Sequence, residues 1–426
     1  MRLIFVEGVS GVGKTTMTGK LRDKLRNMGF AADCYFEGDF ANPIDFYCTA
    51  YFKQDEYADL LAKHGECSKD IENRAIAAGD IRLVRYRNRE TPLFPEPLLN
   101  VFREHEFVFC PSNIVPVSEY ARVYKSVWEQ FAHKADRHSH LDYLIFDGSM
   151  LHHPVNDMMR NYNASCDQVV SHINALVETV ERFRPQLLYL SSDSVAERLR
   201  KAQTSRKKAP PSSAQIQFWE KRERMDIAAM QRLSIQYGVF NISLENWDSA
   251  IDEMAERVLE TDAERQVRIY PIVLSEYNSA WPEWFAEEKD KLEQLIGIEN
   301  IARINHCGST SVPGLTAKPT IDILLEINET TDIDKLINAL PSPEYICLSG
   351  AGLTMPTPPP HLTFIKGYLA NGFAEKVYHI HVVYPGDHDE LLFRDYLIAR
   401  PGAAAEYAEL KRRLFQDYEH DRDGYT

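Results

Sequence analysis

The run Gly8-Val9-Ser10-Gly11-Val12-Gly13-Lys14-Thr15 constrains this chain more than any other feature. It satisfies G-x-x-x-x-G-K-[ST]. A short apolar run at 3–6 precedes it, and a helical pattern with Met17, Leu21, Leu25 and Met28 on one face follows, with Gly29 placed to end the helix. Glycines allow successive backbone N–H groups to turn inward around phosphate oxygens. The N-terminus of the helix adds partial positive charge. Lys14 is then placed to reach the β- and γ-phosphates, and the Thr15 hydroxyl to ligate Mg²⁺. Gly8, Gly11, Gly13, Lys14, Thr15 and the adjoining Thr16 are therefore the expected contacts to ATP and Mg²⁺. The alternative is a glycine-rich strand–helix turn that binds nothing.

The alternation of short apolar runs with amphipathic stretches continues to about residue 262. Runs at 31–36, 143–146, 187–190 and 239–242 read as strands. Val169, Val170, Ile173, Leu176, Val177 and Val180 recur at helical spacing until Pro185, and 215–237 and 251–259 read as further helices. This is the pattern of an α/β domain with a mostly parallel sheet. The stretch 45–142 is less periodic and contains Pro92, Pro95, Pro97, Pro111 and Pro116. It reads as a helical and loop insertion suited to building an acceptor pocket. The polar stretch 261–268 marks a boundary. A second region, 269–426, carries a helix at 282–295, strands at 320–327 and 377–383, helices from 389 onward, and a surface loop at 356–360.

Composition narrows the partners. A length of 426 residues suits two or three domains. Lys and Arg number 48 against 63 Asp and Glu, a net charge of −15, which opposes general nucleic-acid binding but leaves room for a local basic pocket that takes a small phosphorylated ligand. The seven cysteines are odd in number and form no C-x-x-C pair, so a disulfide framework or zinc knuckle is not expected and a reducing cytoplasm is. The first apolar run is cut off by Glu7 and Gly8, too early for a signal-peptide core, and no apolar window reaches the roughly 18 residues of a membrane span. Nothing in the sequence bears on oligomeric state.

Three further groups bear on phosphate chemistry. Asp147 ends the apolar run at 143–146, where a carboxylate can hold Mg²⁺ or its water; the alternative is a turn cap. Glu37 and Asp39, in FEGDF, resemble the acidic residues that nucleoside and nucleotide kinases place against an acceptor hydroxyl, which implies a general base; the alternative is ordinary turn acidity around Gly38. Arg198, Arg200, Lys201, Arg206, Lys207 and Lys208 form a basic run, with Arg222 and Arg224 beyond it. Its position resembles the lid of small-molecule kinases, where arginines such as Arg198 and Arg206 would neutralise a transferring phosphoryl group, with Arg222 and Arg224 as the other candidates; the alternative is a solvated face. With the glycine loop, these features resemble P-loop kinases of the nucleoside and nucleotide monophosphate type. The resemblance implies a P-loop NTPase parallel sheet and an ATP·Mg²⁺-dependent phosphotransferase. The dephospho-coenzyme A kinase family is a lesser resemblance, because EGVSGVGKTT lacks that family's usual opening.

The second region carries His306-Cys307-Gly308-Ser309-Thr310-Ser311-Val312-Pro313-Gly314-Leu315, then Ala317-Lys318-Pro319-Thr320-Ile321-Asp322-Ile323, His379-Ile380-His381-Val382 and Phe393-Arg394-Asp395-Tyr396-Leu397. These motifs, in this order, resemble the GrpB-like family, a branch of the nucleotidyltransferase superfamily. The resemblance implies an α+β domain with a mixed sheet, a Gly-Ser turn and a carboxylate pair. Physically, the Gly308-Ser309 turn permits close approach of a triphosphate, and Asp322 could hold Mg²⁺ and align an attacking hydroxyl. Lys318 and Arg394 could neutralise phosphate. His379 and His381, two apart on a strand, share one face and read as nucleotide contacts or as packed strand histidines. Leu324 stands where a second carboxylate would, and Glu326 lies on the same face two residues on. Nucleotidyl transfer and binding without transfer both stay open. The chain as a whole reads as a small-molecule kinase fused to a nucleotidyltransferase-like module. The alternative is a nucleotide-gated switch with a non-catalytic GrpB-like module.

Overall fold

Leu3-Ile4-Phe5-Val6 offers no polar side chain to water, and all four residues are fully buried. Leu3 and Phe5 enter one hydrophobic core, Ile4 and Val6 the other, so the strand is covered on both faces as parallel strands are. The computed structural model describes residues 1–108, 114–242, 247–341, 344–348, 362–369 and 371–418. The expected loop at 356–360, Cys110 and Pro111 lie outside these described residues. The chain divides into two compact units, Met1–Glu260 and Thr261–Thr426.

The strands of the first unit are β1 (Arg2–Gly8), β2 (Ala32–Tyr35), β3 (Thr49–Lys53), β4 (Ala75–Ala78), β5 (Ile81–Arg85), β6 (Arg87–Asn88), β7 (Thr91–Pro92), β8 (Tyr143–Asp147), β9 (Gln186–Ser191) and β10 (Gln236–Asn241). The main sheet has the order β10-β9-β1-β8-β2, and every pairing in it is parallel. The chain leaves β1 to build β2 and β8 on one side, then returns to build β9 and β10 on the other. The crevice at the carboxyl end of β1 therefore lies where the strand order reverses, the usual ligand position in such sheets. The helix Lys14–Asn27 buries Met17, Leu21 and Leu25 against one face. Met28, expected with them, caps the helix and is exposed. On the other face Phe5 stacks on Trp128 of the helix Val117–Lys134 at 5.6 Å.

Two expectations need correction. The stretch 45–142 is not only helix and loop: it carries the antiparallel sheet β3-β5-β4 and the short pair β6-β7. Lys53, Arg82 and Arg85 interrupt the apolar pattern of these strands, and β3 and β5 are joined by a pairing remote in sequence that no local signal reports. Phe52, Leu60, Ile71, Val84 and Phe102 give the insertion its own core. The helix expected over 215–237 is Ser213–Met230, and the next strand starts at Gln236, earlier than the expected 239. Burial of Leu233 and Ile235 and pairing of Gln236 with Gln186 end the helical register there.

The second unit contains β11 (Ile301–Cys307), β12 (Thr320–Ile327), β13 (Ile346–Cys347), β14 (Leu362–Leu369) and β15 (Gly372–Val383). They form a mixed sheet of order β11-β12-β15-β14-β13, in which only β12 and β15 pair in parallel. Strand alternation sorts its side chains. Ile321, Ile323, Leu325 and Ile327 of β12, with Tyr378, Ile380 and Val382 of β15, join Trp281, Leu292 and Ile296 of the helix Trp281–Ile296 in the core. Asp322, Leu324 and Glu326, and His379 and His381, take the opposite face. The fold is therefore mixed α/β, with one parallel and one mixed five-stranded sheet and smaller antiparallel sheets in the insertion.

Arg222 of the helix Ser213–Met230 is fully buried and ties that helix to the segment after β8. It donates to Asp226 at 2.8 Å, to the carbonyls of Leu151 at 2.9 Å and His152 at 3.1 Å, and to Asn156. Asp226 also accepts from the Tyr189 hydroxyl at 2.9 Å. Arg222→Met should strand a buried carboxylate and destabilise the chain by about 3–5 kcal/mol. Adding Asp226→Leu should recover part of that loss. Chemical denaturation of both variants measures it, and a single-variant loss below about 1 kcal/mol would refute the assignment.

Candidate functional site

In the first unit the glycine loop is shaped by close backbone approaches. Gly8, Gly11 and Gly13 all have positive φ, at 143°, 83° and 109°. A Cβ on Gly8 would lie 2.5 Å from the Leu190 carbonyl oxygen, and one on Gly13 would lie 2.6 Å from the Trp247 ring. The loop leads into the helix beginning at Lys14, whose side chain is buried and curls back over it. Lys14 Nζ donates to the Gly8 carbonyl at 3.1 Å and lies 3.3 Å from His152 Nδ1. The Thr15 hydroxyl donates to Asp147 Oδ2 at 2.6 Å. This contact follows from β1 pairing with β8, which sets Val6 beside Asp147. Asp147 Oδ1 is buried, and the Glu37 amide adds to the pull of Thr15 on this carboxylate. Burial pushes the Asp147 carboxyl up to about 6 against the pull of Lys14 and Thr15.

Behind the loop lies a desolvated support. Glu7 accepts from the amides of Met150 at 2.6 Å and His152 at 2.9 Å, fixing the turn after Asp147. Burial raises its carboxyl to about 7 despite those amides and Lys14. His152 stacks on Trp219 at 5.6 Å, and burial, then Lys14, keeps the imidazole neutral far below its ordinary range. In front of the loop is a cleft of ≈ 360 Å³. Lys14, Thr15 and Thr16 line it with Glu37, Arg198, Lys201, Arg206 and Trp247.

The basic run thus divides. The helix Val195–Ser205 sends Arg198 and Lys201 to the cleft, joined by Arg206, while Arg200, Lys207 and Lys208 are exposed and do not line it. Arg198 is already engaged, donating to the Ile242 carbonyl with its guanidinium over Trp247. Arg222 belongs to the core and Arg224 is exposed. The two acidic residues past β2 also separate. Glu37 lines the cleft, and His153 Nε2 lies 3.7 Å from it and 3.6 Å from Asp45. Asp39 accepts from the Phe36 amide at 3.1 Å and pairs with Arg89, outside the cleft lining. Sequence reading missed Glu7, His152, Lys201 as a cleft residue, and Trp247. The one signal in the sequence is for Glu7, an acidic residue adjoining an otherwise apolar strand.

In the second unit Gly308 turns sharply, with φ 68° and ψ −171°, and a Cβ there would lie 2.2 Å from Asp322 Oδ2. The Ser309 hydroxyl accepts from Lys411, which also lies 3.4 Å from the Thr316 carbonyl. Burial, then the neighbouring Lys318, lowers the Lys411 ammonium to about 8. Lys411 sits on the helix Pro401–Asp417, and nothing local marked it out. Arg394 donates to the His306 carbonyl at 2.9 Å and pairs with Asp395, so it braces β11. Asp322, His379 and His381 converge, with their ligand atoms within 4.8 Å of one another. Glu326 does not join them: it is buried and held by Arg303 at 2.5 Å, His388 at 3.3 Å and the Gly386 amide at 3.2 Å. Leu324, between the two, packs with Cys307 and Val383.

The order of these motifs on a mixed sheet defines a class, and the comparisons place the chain within it. The chain belongs to the GrpB family, whose model, described as GrpB protein, matches residues 271–426. The glutamate-rich protein GrpB of Alkalihalophilus pseudofirmus is 33% identical over 159 residues, which is 36% of this chain and 87% of that protein. UPF0157 protein YqkA of Bacillus subtilis is 36% identical over 141 residues, covering 32% of this chain but only 38% of YqkA. A UPF0157 protein of Pseudomonas aeruginosa is covered over 58% of its length. A crystal structure of the conserved protein GrpB from Enterococcus faecalis shares 32% identity over 36% of this chain and 89% of that chain, with a TM-score of 0.31. A dephospho-CoA kinase of Mycolicibacterium paratuberculosis is 27% identical over 180 residues, 38% of this chain and 44% of that protein. No helix among the described residues is long and apolar enough to cross a membrane.

Two measurements probe these sites. Glu7 carries a carboxyl near 7 in the folded chain against an ordinary 4.5. Between those values the folded form holds more protons than the unfolded one, so stability is lost as pH rises through them. In Glu7→Gln that part of the pH slope should vanish, and equal slopes for both proteins in denaturation at pH 4.5 to 8 would refute the burial argument. Gly308→Ala forces a side chain into a glycine-only conformation and against Asp322. It should cost about 1–3 kcal/mol, and unchanged thermal unfolding would show that the turn relaxes freely.

Proposed function

We propose that the first unit is an ATP·Mg²⁺-dependent phosphotransferase acting on a small acceptor, of the nucleoside, nucleotide or related-metabolite class. The observation that carries this reading is the hydrogen bond from Thr15 to Asp147 beneath the glycine loop. A hydroxyl and a carboxylate held together there are a ready pair of ligands for Mg²⁺ or its waters. The fit is supported by the buried Asp147 carboxylate and by a loop whose glycines leave no room for Cβ atoms. The bound nucleotide and its metal supply an activated phosphoryl group. Lys14 would exchange its contacts with the Gly8 carbonyl for phosphate oxygens. Lys201 and Arg206 would place positive charge along the cleft, where negative charge develops during transfer.

Glu37 is the better placed of the two acidic residues to accept a proton from an acceptor hydroxyl, because it lines the cleft while Asp39 is committed to Arg89. For the second unit we propose a phosphate-binding module, with Ser309, Lys318 and Lys411 as its polar contacts. Two-metal nucleotidyl transfer needs more carboxylates than Asp322 alone, since Glu326 is committed elsewhere and Leu324 is apolar. A cytoplasmic setting and a purely small-molecule partner remain part of the same proposal.

The test is a metabolite screen with labelled ATP on the full chain. Lys14→Ala should lower acceptor-dependent phosphorylation by about 10²–10³ or more, the scale of losing one electrostatic contact to the transition state. Lys201→Ala with Arg206→Ala should lower kcat far more than nucleotide affinity. Near-normal turnover in Lys14→Ala would refute the reading. Slow hydrolysis indifferent to every acceptor would instead support a nucleotide-gated switch.

A further inference from the structure

The exposed face of the second sheet carries a cluster that phosphotransfer in the first unit does not use. β12 and β15 run in parallel with Asp322 beside His379 and Leu324 beside His381. Since side chains alternate, all three polar groups rise from one face of two adjacent strands. His379 Nδ1 lies 3.6 Å from Asp322 Oδ1, and His381 Nε2 lies 3.9 Å from the same oxygen. The far nitrogen of His379, Nε2, meets the Tyr368 hydroxyl at 2.8 Å. That outer contact fixes the ring so that Nδ1 points inward, the arrangement that orients metal-bound histidines. Side chains bonded at about 2.0–2.2 Å around a tetrahedral ion stand roughly 3.3 Å apart. The present spacing needs only small rotations to reach it.

We propose that Asp322, His379 and His381 form a mononuclear site for a borderline divalent transition metal of the zinc or cobalt type, with Tyr368 as its positioning residue. The inference goes beyond the phosphotransfer reading and does not depend on it. The ligand set decides the class of ion. Mg²⁺ prefers an all-oxygen octahedron and keeps its waters, whereas two imidazoles with one carboxylate suit zinc, iron or cobalt. A second carboxylate that would turn the site toward Mg²⁺ is absent: Leu324 occupies the intervening position, and Glu326 is neutralised by Arg303. All three ligands are partly solvent-exposed, so an ion can enter and retain open coordination positions. Gly308 allows the adjoining turn to abut Asp322, which brings Ser309 and its partner Lys411 to the same edge of the site. An anionic ligand such as phosphate therefore has both a cation and a metal to bridge.

The test uses the full-length chain, stripped of metal by chelator and titrated with Co²⁺ under visible spectroscopy. Wild type should bind one equivalent with imidazole-type d–d bands, Zn²⁺ should displace it, and millimolar Mg²⁺ should not. His379→Ala with His381→Ala should weaken this binding by more than about 100-fold, and Tyr368→Phe by about 10-fold. Unfolding of the metal-free variants should match metal-free wild type. A second readout needs no variant: X-ray absorption at the zinc edge of wild type should show two imidazoles and oxygen donors. An all-oxygen shell, unchanged Co²⁺ bands in the double-histidine variant, or displacement by equimolar Mg²⁺ would each overturn the proposal.

Discussion

Each unit of this chain depends on one parallel strand pair. In the first, β1 beside β8 sets Val6 opposite Asp147, so the loop that leaves β1 carries Thr15 back onto that carboxylate. In the second, β12 beside β15 sets Asp322 opposite His379. A parallel pair cannot be closed by a short hairpin, because its connection must cross over the sheet. Residues far apart in the sequence are therefore brought to one edge or one face. A slip of one position in either pair would turn the convergent side chains to the opposite face.

The first site is expensive to assemble. Glu7, Asp147, His152, Arg222 and Asp226 are all removed from water beside or beneath the glycine loop. Burial raises the carboxyls of Glu7 and Asp147 and keeps His152 neutral, so desolvation dominates over the local charges. What offsets it is hydrogen bonding: two amides serve Glu7, and two carbonyls and two side chains serve Arg222. The network holds the turn after β8 rigid against the loop, which is what precise presentation of Lys14 and Thr15 requires.

The second site is cheaper and more open. Asp322, His379 and His381 lie on the solvent side of a sheet whose opposite face forms the core. The substitution of an apolar residue at 324 and the capture of Glu326 by Arg303 leave one carboxylate among imidazoles. The chemistry of that face differs from that of the cleft in the first unit, where hydroxyl and carboxylate oxygens meet. Under the two proposals the units would take different kinds of ion.

The sequence by itself determined the local elements. The apolar runs at 3–6, 143–146 and 187–190 became buried parallel strands because they lack charged side chains, and the glycine loop was legible because its spacing encodes a backbone shape. The Gly-Ser turn, Asp322 and the histidine pair were legible as motifs. Tertiary structure decided which of the expected residues meet. Arg198, Lys201 and Arg206 face the cleft while Arg200, Lys207 and Lys208 do not, a distinction set by the face of the helix Val195–Ser205 and by where the chain leaves it. Glu37 and Asp39 were equivalent in the sequence, and only the pairing of Asp39 with Arg89 separated them. Lys411 and Glu7 carried little or no sequence signal, because their roles arise from burial against partners remote in the chain. The sheet within the insertion was hidden for the same reason: strand pairing is a long-range interaction, and short strands with charged residues leave no local trace of it.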